Sequence, residues 1–219
     1  MTACGRVAPL GAEHPHDLGH ELITGDDFFP DVRPAGDLKA MTIMSSPEAG
    51  ASSVRTMHYL SIAAARRSLY IANPYFVPDA TATAQLIDAK RRGVDVRIMT
   101  SGRYNDNRVA RLNSLRLLGP LLSAGIEILE YNRTMLHQKT MVVDGLWASI
   151  GTTNFDSRSF AHNEENNVCV HDRAWAQTLH DIFLEDARVC DRVTREAWRR
   201  RGLTQRTLEV LASFLEEQA

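Results

Sequence analysis

One stretch, residues 136–160 (LHQKTMVVDGLWASIGTTNFDSRSF), constrains this chain more than any other. His137 and Lys139 stand two apart, Asp144 follows, and then come Gly151, Thr152 and Asn154. Side chains two apart on a strand point to one face, about 6–7 Å apart along the backbone. The imidazole and the ammonium therefore project together. Asp144-Gly145 lies between two apolar runs and reads as a tight hairpin turn, because Gly tolerates the positive φ a primed turn needs. The returning strand then carries Thr152 and Asn154 back to the end that holds His137 and Lys139. Four polar groups converge from one hairpin. A neutral nucleophile beside a fixed positive charge suits attack on a phosphate ester.

Hydrophobic period and punctuation set the frame around this hairpin. Lys39 to Ser45 reads as a strand. Ser52 or Ser53 caps a helix running to about Arg67, with Ala63, Ala64 and Ala65 favouring it. Leu69 to Ala72 is a short buried strand leading into Asn73-Pro74. Asp79 opens a helix that ends near Gly93, a residue suited to the position just past a helix. Val94 to Thr100 is a strand, and Arg108 to Ala124 an amphipathic helix with Leu112, Leu115, Leu118 and Leu122 on its stripe. Ile126 to Glu130 is a further strand. After the hairpin come a strand near Asn167 to His171 and three helices, about 172–191, 194–201 and 204–217. Strands alternating with helices argue an α/β sheet with helices on both faces and a helical C-terminal segment.

Composition excludes several classes. The charged fraction is 24%, the hydrophobic fraction 44% and the net charge −2, as in an ordinary globular protein and not a basic nucleic-acid binder. Cys4, Cys169 and Cys190 are an odd, scattered set that forms neither a disulfide framework nor a zinc pattern. No apolar run approaches the roughly 20 residues of a membrane span, and the N-terminus has no signal-peptide core. A cytoplasmic chain, or one peripheral at the cytoplasmic membrane, is the expectation. Residues 1–36 are rich in Gly, Pro, His and Asp and show no strong periodicity. They read as a disordered leader or as the tail of a preceding segment. His14, His16 and His20 sit there among acidic residues, in a spacing that fits no known metal site.

The pattern His-x-Lys-x4-Asp-x6-Gly-[Ser/Thr]-x-Asn resembles the signature of the phospholipase D superfamily, matched here at His137, Lys139, Asp144, Gly151, Thr152 and Asn154 with every spacing intact. Asn73 to Pro78, Arg92 to Val96, Asn154 to Ser159, and Asn163 with Glu165 are similar to the cardiolipin synthase branch. The resemblance covers about residues 37 to 219 and follows the order of that family's C-terminal half. It implies a phospholipase D-like sheet, a phospholipid substrate, a phosphohistidine intermediate, and no metal or other cofactor.

The resemblance also implies roles. His137 attacks phosphorus. Lys139 and Asn154 bind the non-bridging oxygens, with Thr152 nearby and Gly151 in the turn of the motif. Asn154 also reads as a cap before Phe155-Asp156. Glu165 stands where a carboxylate would fix the His137 tautomer, though Glu164 beside it leaves that assignment open. Asp144 is structural, holding the turn or pairing with a cation. Arg158 and Ser159 brace the loop after Asn154. Asn73, Tyr75 and Phe76 follow a strand's C-terminal end, where α/β ligand sites gather, and line the substrate mouth unless Phe76 is core. His58, His162, His171 and His180 read as surface or satisfied core residues. Trp198 with Arg199, Arg200 and Arg201 reads as an interfacial helix or a solvated basic face. The last helix, with Leu203, Leu208, Leu211, Phe214 and Leu215, packs on the core or touches a membrane.

The family builds its site from two such motifs, and this chain holds one His-x-Lys. The expectation is half a site, completed by a homodimer mate or by a missing N-terminal half. A cardiolipin synthase-like phosphatidyltransferase with peripheral membrane contact is the leading reading, with nucleic acid disfavoured as a partner. The alternatives are a single-motif homodimeric phosphodiesterase or nuclease, and an incomplete half-domain without activity.

Overall fold

The hairpin occupies the middle of an eight-stranded mixed sheet in the computed structural model, which describes Pro30 and residues 36–47 and 53–216, with side chains as far as Ser213. The elements are β1 (Ala40–Ser45), α1 (Ser53–Ala64), β2 (Ser68–Ala72), α2 (Ala80–Arg91), β3 (Asp95–Ser101), α3 (Arg108–Ser123), β4 (Glu127–Tyr131), β5 (Thr140–Val143), β6 (Trp147–Gly151), α4 (Ser157–Ala161), β7 (Glu165–His171), α5 (Arg173–Ala187), β8 (Cys190–Arg192), α6 (Arg195–Arg199) and α7 (Leu203–Glu216). The strand order is β1-β7-β6-β5-β2-β3-β4-β8. β2, β3 and β4 run parallel through helical crossovers, while β5, β6, β7 and β1 form an antiparallel half. At its edge, Ala40 pairs with Val170 and Ser45 with Glu165. The described residues from Ala40 onward form one compact unit.

Alternation along the strands divides the core in two. Ile71, Ile98, Ile128 and Met141 face α1, α2 and α3, where they meet Ile62, Leu86 and Leu118. Tyr70, Ala72, Met99 and Leu129 face α5 and pack on Phe183. Helices therefore cover both faces, as the strand–helix alternation implies. Asp79 caps α2 by accepting from the Ala82 N–H at 2.8 Å, and Gly93 ends it at φ 88°.

Three local expectations change. The first long helix stops at Ala64, because the following backbone is claimed elsewhere: the Asp144 carboxylate accepts the N–H groups of Arg66, Arg67 and Ser68. The helix expected over 172–191 ends at Ala187, and Cys190–Arg192 instead adds strand β8 beside β4. The segment after Asn154 contains a short helix, α4. Trp198 is not an interfacial anchor: its ring packs on the core, its indole N–H donates to the Leu115 carbonyl at 2.7 Å, and the Arg201 guanidinium stacks 4.0 Å from its centroid. No helix among the described residues is long and apolar enough to cross a membrane. The readings made for Cys4, for the histidines at 14, 16 and 20 and for the Ser52 cap lie outside the described residues, as do the side chains of Phe214 and Leu215.

Candidate active site

His137 and Lys139 lie immediately before β5, not within the strand itself. The strand-like alternation still holds. Lys139 Nζ lies 3.3 Å from His137 Nε2 and donates to the His137 carbonyl at 3.1 Å. An ammonium only donates, so this contact places the imidazole lone pair on Nε2 and its proton on Nδ1. His137 is exposed, whereas Lys139 is 7% exposed. The nucleophile candidate is open to a ligand, and the cation beside it is held by packing.

Burial pushes the Lys139 ammonium below the usual lysine value, while the carboxylates of Glu165, Asp106 and Asp156 oppose that shift. These three acids come from separate parts of the chain: the loop after β3, the cap of α4 and the first residue of β7. Desolvation raises the Asp156 carboxyl, with the nearby Glu165 charge adding to it and the Ser159 N–H opposing it. Asp156 accepts that N–H at 2.7 Å and so caps α4. Ser159 and Arg158 brace this turn: Ser159 is buried, and the Arg158 carbonyl accepts from His162 and Asn163 N–H groups. Among the described residues, no group of three His, Cys, Asp or Glu side chains is placed to hold a metal ion.

The hairpin turn has positive φ at both Asp144 (56°) and Gly145 (62°), the conformation a primed turn requires. Asp144 is a structural tie between this turn and the start of β2. On the returning strand, Gly151 has no room for a side chain: a Cβ would lie 2.3 Å from the Asn166 carbonyl oxygen. That closeness brings Thr152 beside β7, where its hydroxyl donates to Glu165 Oε2 at 2.5 Å and accepts the Asn166 N–H at 3.0 Å. Asn163 donates to the other Glu165 oxygen at 3.2 Å. Glu165 thus spends its hydrogen bonds on Thr152 and Asn163. The expected bond to His137 is not formed by Glu165 or by Glu164, whose carboxylate faces Ser46.

Asn154 is half-buried, and its Oδ1 is a buried oxygen without a hydrogen-bond partner among the described residues. Its side chain does not cap the following helix, a role taken by Asp156. The loop carrying it is fixed from both sides. Asn73 Nδ2 donates to the Thr153 carbonyl and Asn73 Oδ1 accepts from the Phe155 N–H, each at 3.1 Å. Thr153 donates to Asn167 at 2.6 Å, deep in the sheet.

Two expected substrate contacts are corrected by this arrangement. Asn73 is buried with both ends of its amide committed to backbone, and Phe76 is fully buried against Phe155 at 4.9 Å between centroids. Both hold the loop and neither lines a mouth. Tyr75, between them, stays half-buried and donates to Asp106, and burial followed by that bond pushes its phenol well above the usual tyrosine value. Asp106 and Asp156 escaped the reading of the sequence. Their signals were a polar Gly/Asn/Asp loop after a strand's C-terminal end and an Asp three residues before a serine at a helix start.

Comparison with known proteins gives this geometry a family. Residues 60–187, more than half of the chain, match the model for the cardiolipin synthase, PLD-like domain. Cardiolipin synthase 2 of Staphylococcus epidermidis is 32% identical over 188 residues, which are 86% of this chain and 38% of that protein. The chain therefore spans less than half the length of such curated relatives. Among solved structures, the phospholipase D family member Nuc from Salmonella typhimurium superposes with a TM-score of 0.62 at 23% identity, over 71% of this chain and 99% of its own. Phosphatidylserine synthase from Haemophilus influenzae Rd KW20 gives 0.64 at 14% identity, over 82% of this chain and 46% of its own. The fold accounts for the whole of one chain and about half of another. With its motif intact and its sheet shared with these structures, the chain belongs to the cardiolipin synthase family of phospholipase D-like domains.

Proposed function

We propose that this chain supplies one half of a phosphatidyl-transfer site that works through a phosphohistidine on His137. The observation that carries the reading is the pairing of an exposed His137 Nε2 with a buried Lys139 ammonium 3.3 Å away. In the first step Nε2 attacks the lipid phosphorus, the bond from phosphorus to the leaving alkoxide breaks, and that oxygen takes a proton from the histidine of a second motif. In the second step an acceptor alcohol attacks the same phosphorus, gives its proton to that second histidine, and the N–P bond breaks. Lys139 and Asn154 stabilise the non-bridging oxygens. The unpartnered buried oxygen of Asn154 supports a side chain kept ready for a ligand, since buried polar atoms are otherwise paired. Glu165 acts through Lys139 and Thr152, holding the cation charged and the hairpin closed.

The second motif comes from an identical chain or from a preceding half of a longer protein. The 38% coverage of the cardiolipin synthase supports the latter. The match over 99% of the Nuc chain shows that a single domain of this fold also makes up a whole chain, which leaves room for the second reading, a one-motif phosphodiesterase acting as a pair of identical chains. Size-selected monomer and assembled forms are to be assayed on phosphatidylglycerol vesicles and on DNA. The expected result is transfer to lipid by the assembled form only, reduced at least about 10³-fold by His137→Ala when this half supplies the nucleophile. Robust transfer by the monomer overturns the half-site reading, and a preference for DNA promotes the phosphodiesterase.

A further inference from the structure

Helix α7 is turned inside out. A surface helix normally sets its apolar stripe on the core and its charges in water. Here Glu209 is 2% exposed, whereas Leu203 is 79%, Leu208 53%, Val210 50% and Leu211 55% exposed. At 100° per residue, the arc from Val210 through Leu203, Thr207, Leu211 and Thr204 to Leu208 spans about 160° and holds no charged residue. The inward side holds Gln205, Glu209 and Ala212. The helix docks through polar contacts: Glu209 pairs with Arg201 at 3.3 Å, Arg201 donates to the Leu115 carbonyl at 2.8 Å, and the Ala212 carbonyl accepts from Asn113. Those contacts fix which side faces out.

Cations gather beside the outward face, with Glu196 of α6 the exposed acid among them. Arg195, Arg199, Arg200 and Arg206 are exposed along α6 and the start of α7, and Arg206 donates to the Arg199 carbonyl, which gathers them at one end of the apolar arc. The position in the fold also matters. Asn113, which holds Ala212, lies in the second turn of α3, and α3 begins just after the loop that carries Asp106 of the candidate site. α7 therefore climbs toward the end of the domain where His137 and Lys139 sit.

We infer that the outward face of α7 is the surface by which this domain rests on an anionic lipid bilayer, the four leucine and valine side chains entering the acyl boundary and the arginine fringe meeting the headgroups. An apolar arc beside clustered cations is the composition of an interfacial helix. An isologous contact between two copies fits less well, because it would bring the arginine fringe near its own image. The inference extends the lipid-directed reading above, but it is read out by partition and not by turnover, so it stands or falls separately.

The test is sedimentation of the full chain with vesicles of phosphatidylserine and phosphatidylcholine, and with phosphatidylcholine alone. The chain is expected to partition onto the anionic vesicles. Leu203→Gln/Leu208→Gln/Leu211→Gln should lower that partition at least about tenfold with an unchanged circular-dichroism spectrum, because these side chains make no core. Arg195→Gln/Arg199→Gln/Arg200→Gln/Arg206→Gln should bring partition on anionic vesicles down to the level on phosphatidylcholine. If the triple variant loses its fold, Leu208→Gln alone should still lower partition a few-fold. Three results each overturn the inference: no binding by the parent chain, leucine variants that bind as the parent does, or variants that change only the oligomeric mass in analytical ultracentrifugation while vesicle binding stays intact.

Discussion

Asn73 grips the backbone on either side of Asn154, donating to the Thr153 carbonyl and accepting from the Phe155 N–H at 3.1 Å each. An amide meets one donor and one acceptor at once, which neither a carboxylate nor an alkyl side chain does. Asn73→Ala should therefore leave two buried backbone groups unpaired and destabilise the domain by about 2–4 kcal/mol. Asn73→Asp should lose as much, since it keeps the acceptor and sets a second oxygen against the Thr153 carbonyl. Urea unfolding of both variants checks this, and equal stability for the Asp variant would show that the donor bond contributes nothing.

Gly151 is required by space. Its missing Cβ would sit 2.3 Å from the Asn166 oxygen and 2.5 Å from Asn167 Oδ1, so β6 and β7 must separate to admit a methyl group. Gly151→Ala should cost about 2–4 kcal/mol and weaken the Thr152–Glu165 contact beyond it. Thermal unfolding measures the first effect, and amide exchange at Asn166 and Thr152 the second.

Acid should loosen the floor beneath this loop. His58 is buried against Phe155 and Phe160, its Nδ1–H donates to the Val54 carbonyl at 2.8 Å, and desolvation lowers its pKa to about 4. The folded value lies below the unfolded one of 6.5, so the stabilisation is complete above pH 6.5 and is lost as pH falls toward 4. At one pKa unit per 1.36 kcal/mol, the loss is on the order of 3 kcal/mol. Chemical unfolding of the parent and of His58→Gln between pH 7 and pH 4 should show that slope in the parent alone.

Glu165→Gln removes the negative charge that opposes the desolvation of Lys139 and replaces one acceptor with a donor facing Thr152 or Asn163. In the assembled enzyme the expected effect is a fall in kcat of about 10²-fold with a smaller change in KM. Thermal unfolding of the variant separates the two parts Glu165 plays: a fall in kcat with parent-like stability assigns the effect to the charge beside Lys139, and an unchanged kcat would confine Glu165 to its bonds with Thr152 and Asn163.

Chelation should leave the active assembly untouched. In the proposed chemistry Lys139 and its counterpart in a second motif take the place of the positive charge that a divalent ion gives in other phosphoryl transfers. Turnover lost to excess chelator and regained with Mg²⁺ or Zn²⁺ would refute the proposed chemistry.

The hairpin of the candidate site was legible because its information is local. Two side chains two residues apart share a face whether or not the backbone is a regular strand, and Asp144-Gly145 announces its own turn. The second layer was not legible, because it is built from distance. Asp106 and Asp156 approach Lys139 from the loop after β3 and from the cap of α4, and although Glu165 stood out in the sequence, no spacing tells that Thr152 and Asn163 will claim its oxygens. The same limit explains Phe76: a ring after a strand's C-terminal end looks alike whether it meets a ligand or Phe155. Strand β8 is three residues long and exists only because β4 offers an edge. The outward turn of α7 rests on polar contacts, among them the buried pair Arg201 with Glu209, which a period analysis would place in water.

The pairing of β1 with β7 has a consequence for biogenesis. Ser45 meets Glu165 across the ladder, 120 residues later in the chain. At a synthesis rate of about 5–20 residues per second, β1 leaves the ribosome roughly 6–24 s before its strand neighbour among the described residues exists. During that interval an extended segment carrying Met41 and Met44 has open hydrogen-bonding edges and no partner. Chaperone dependence during translation should therefore concentrate on the first strand of this domain, whose last residue, Ser45, pairs with Glu165 of the candidate site.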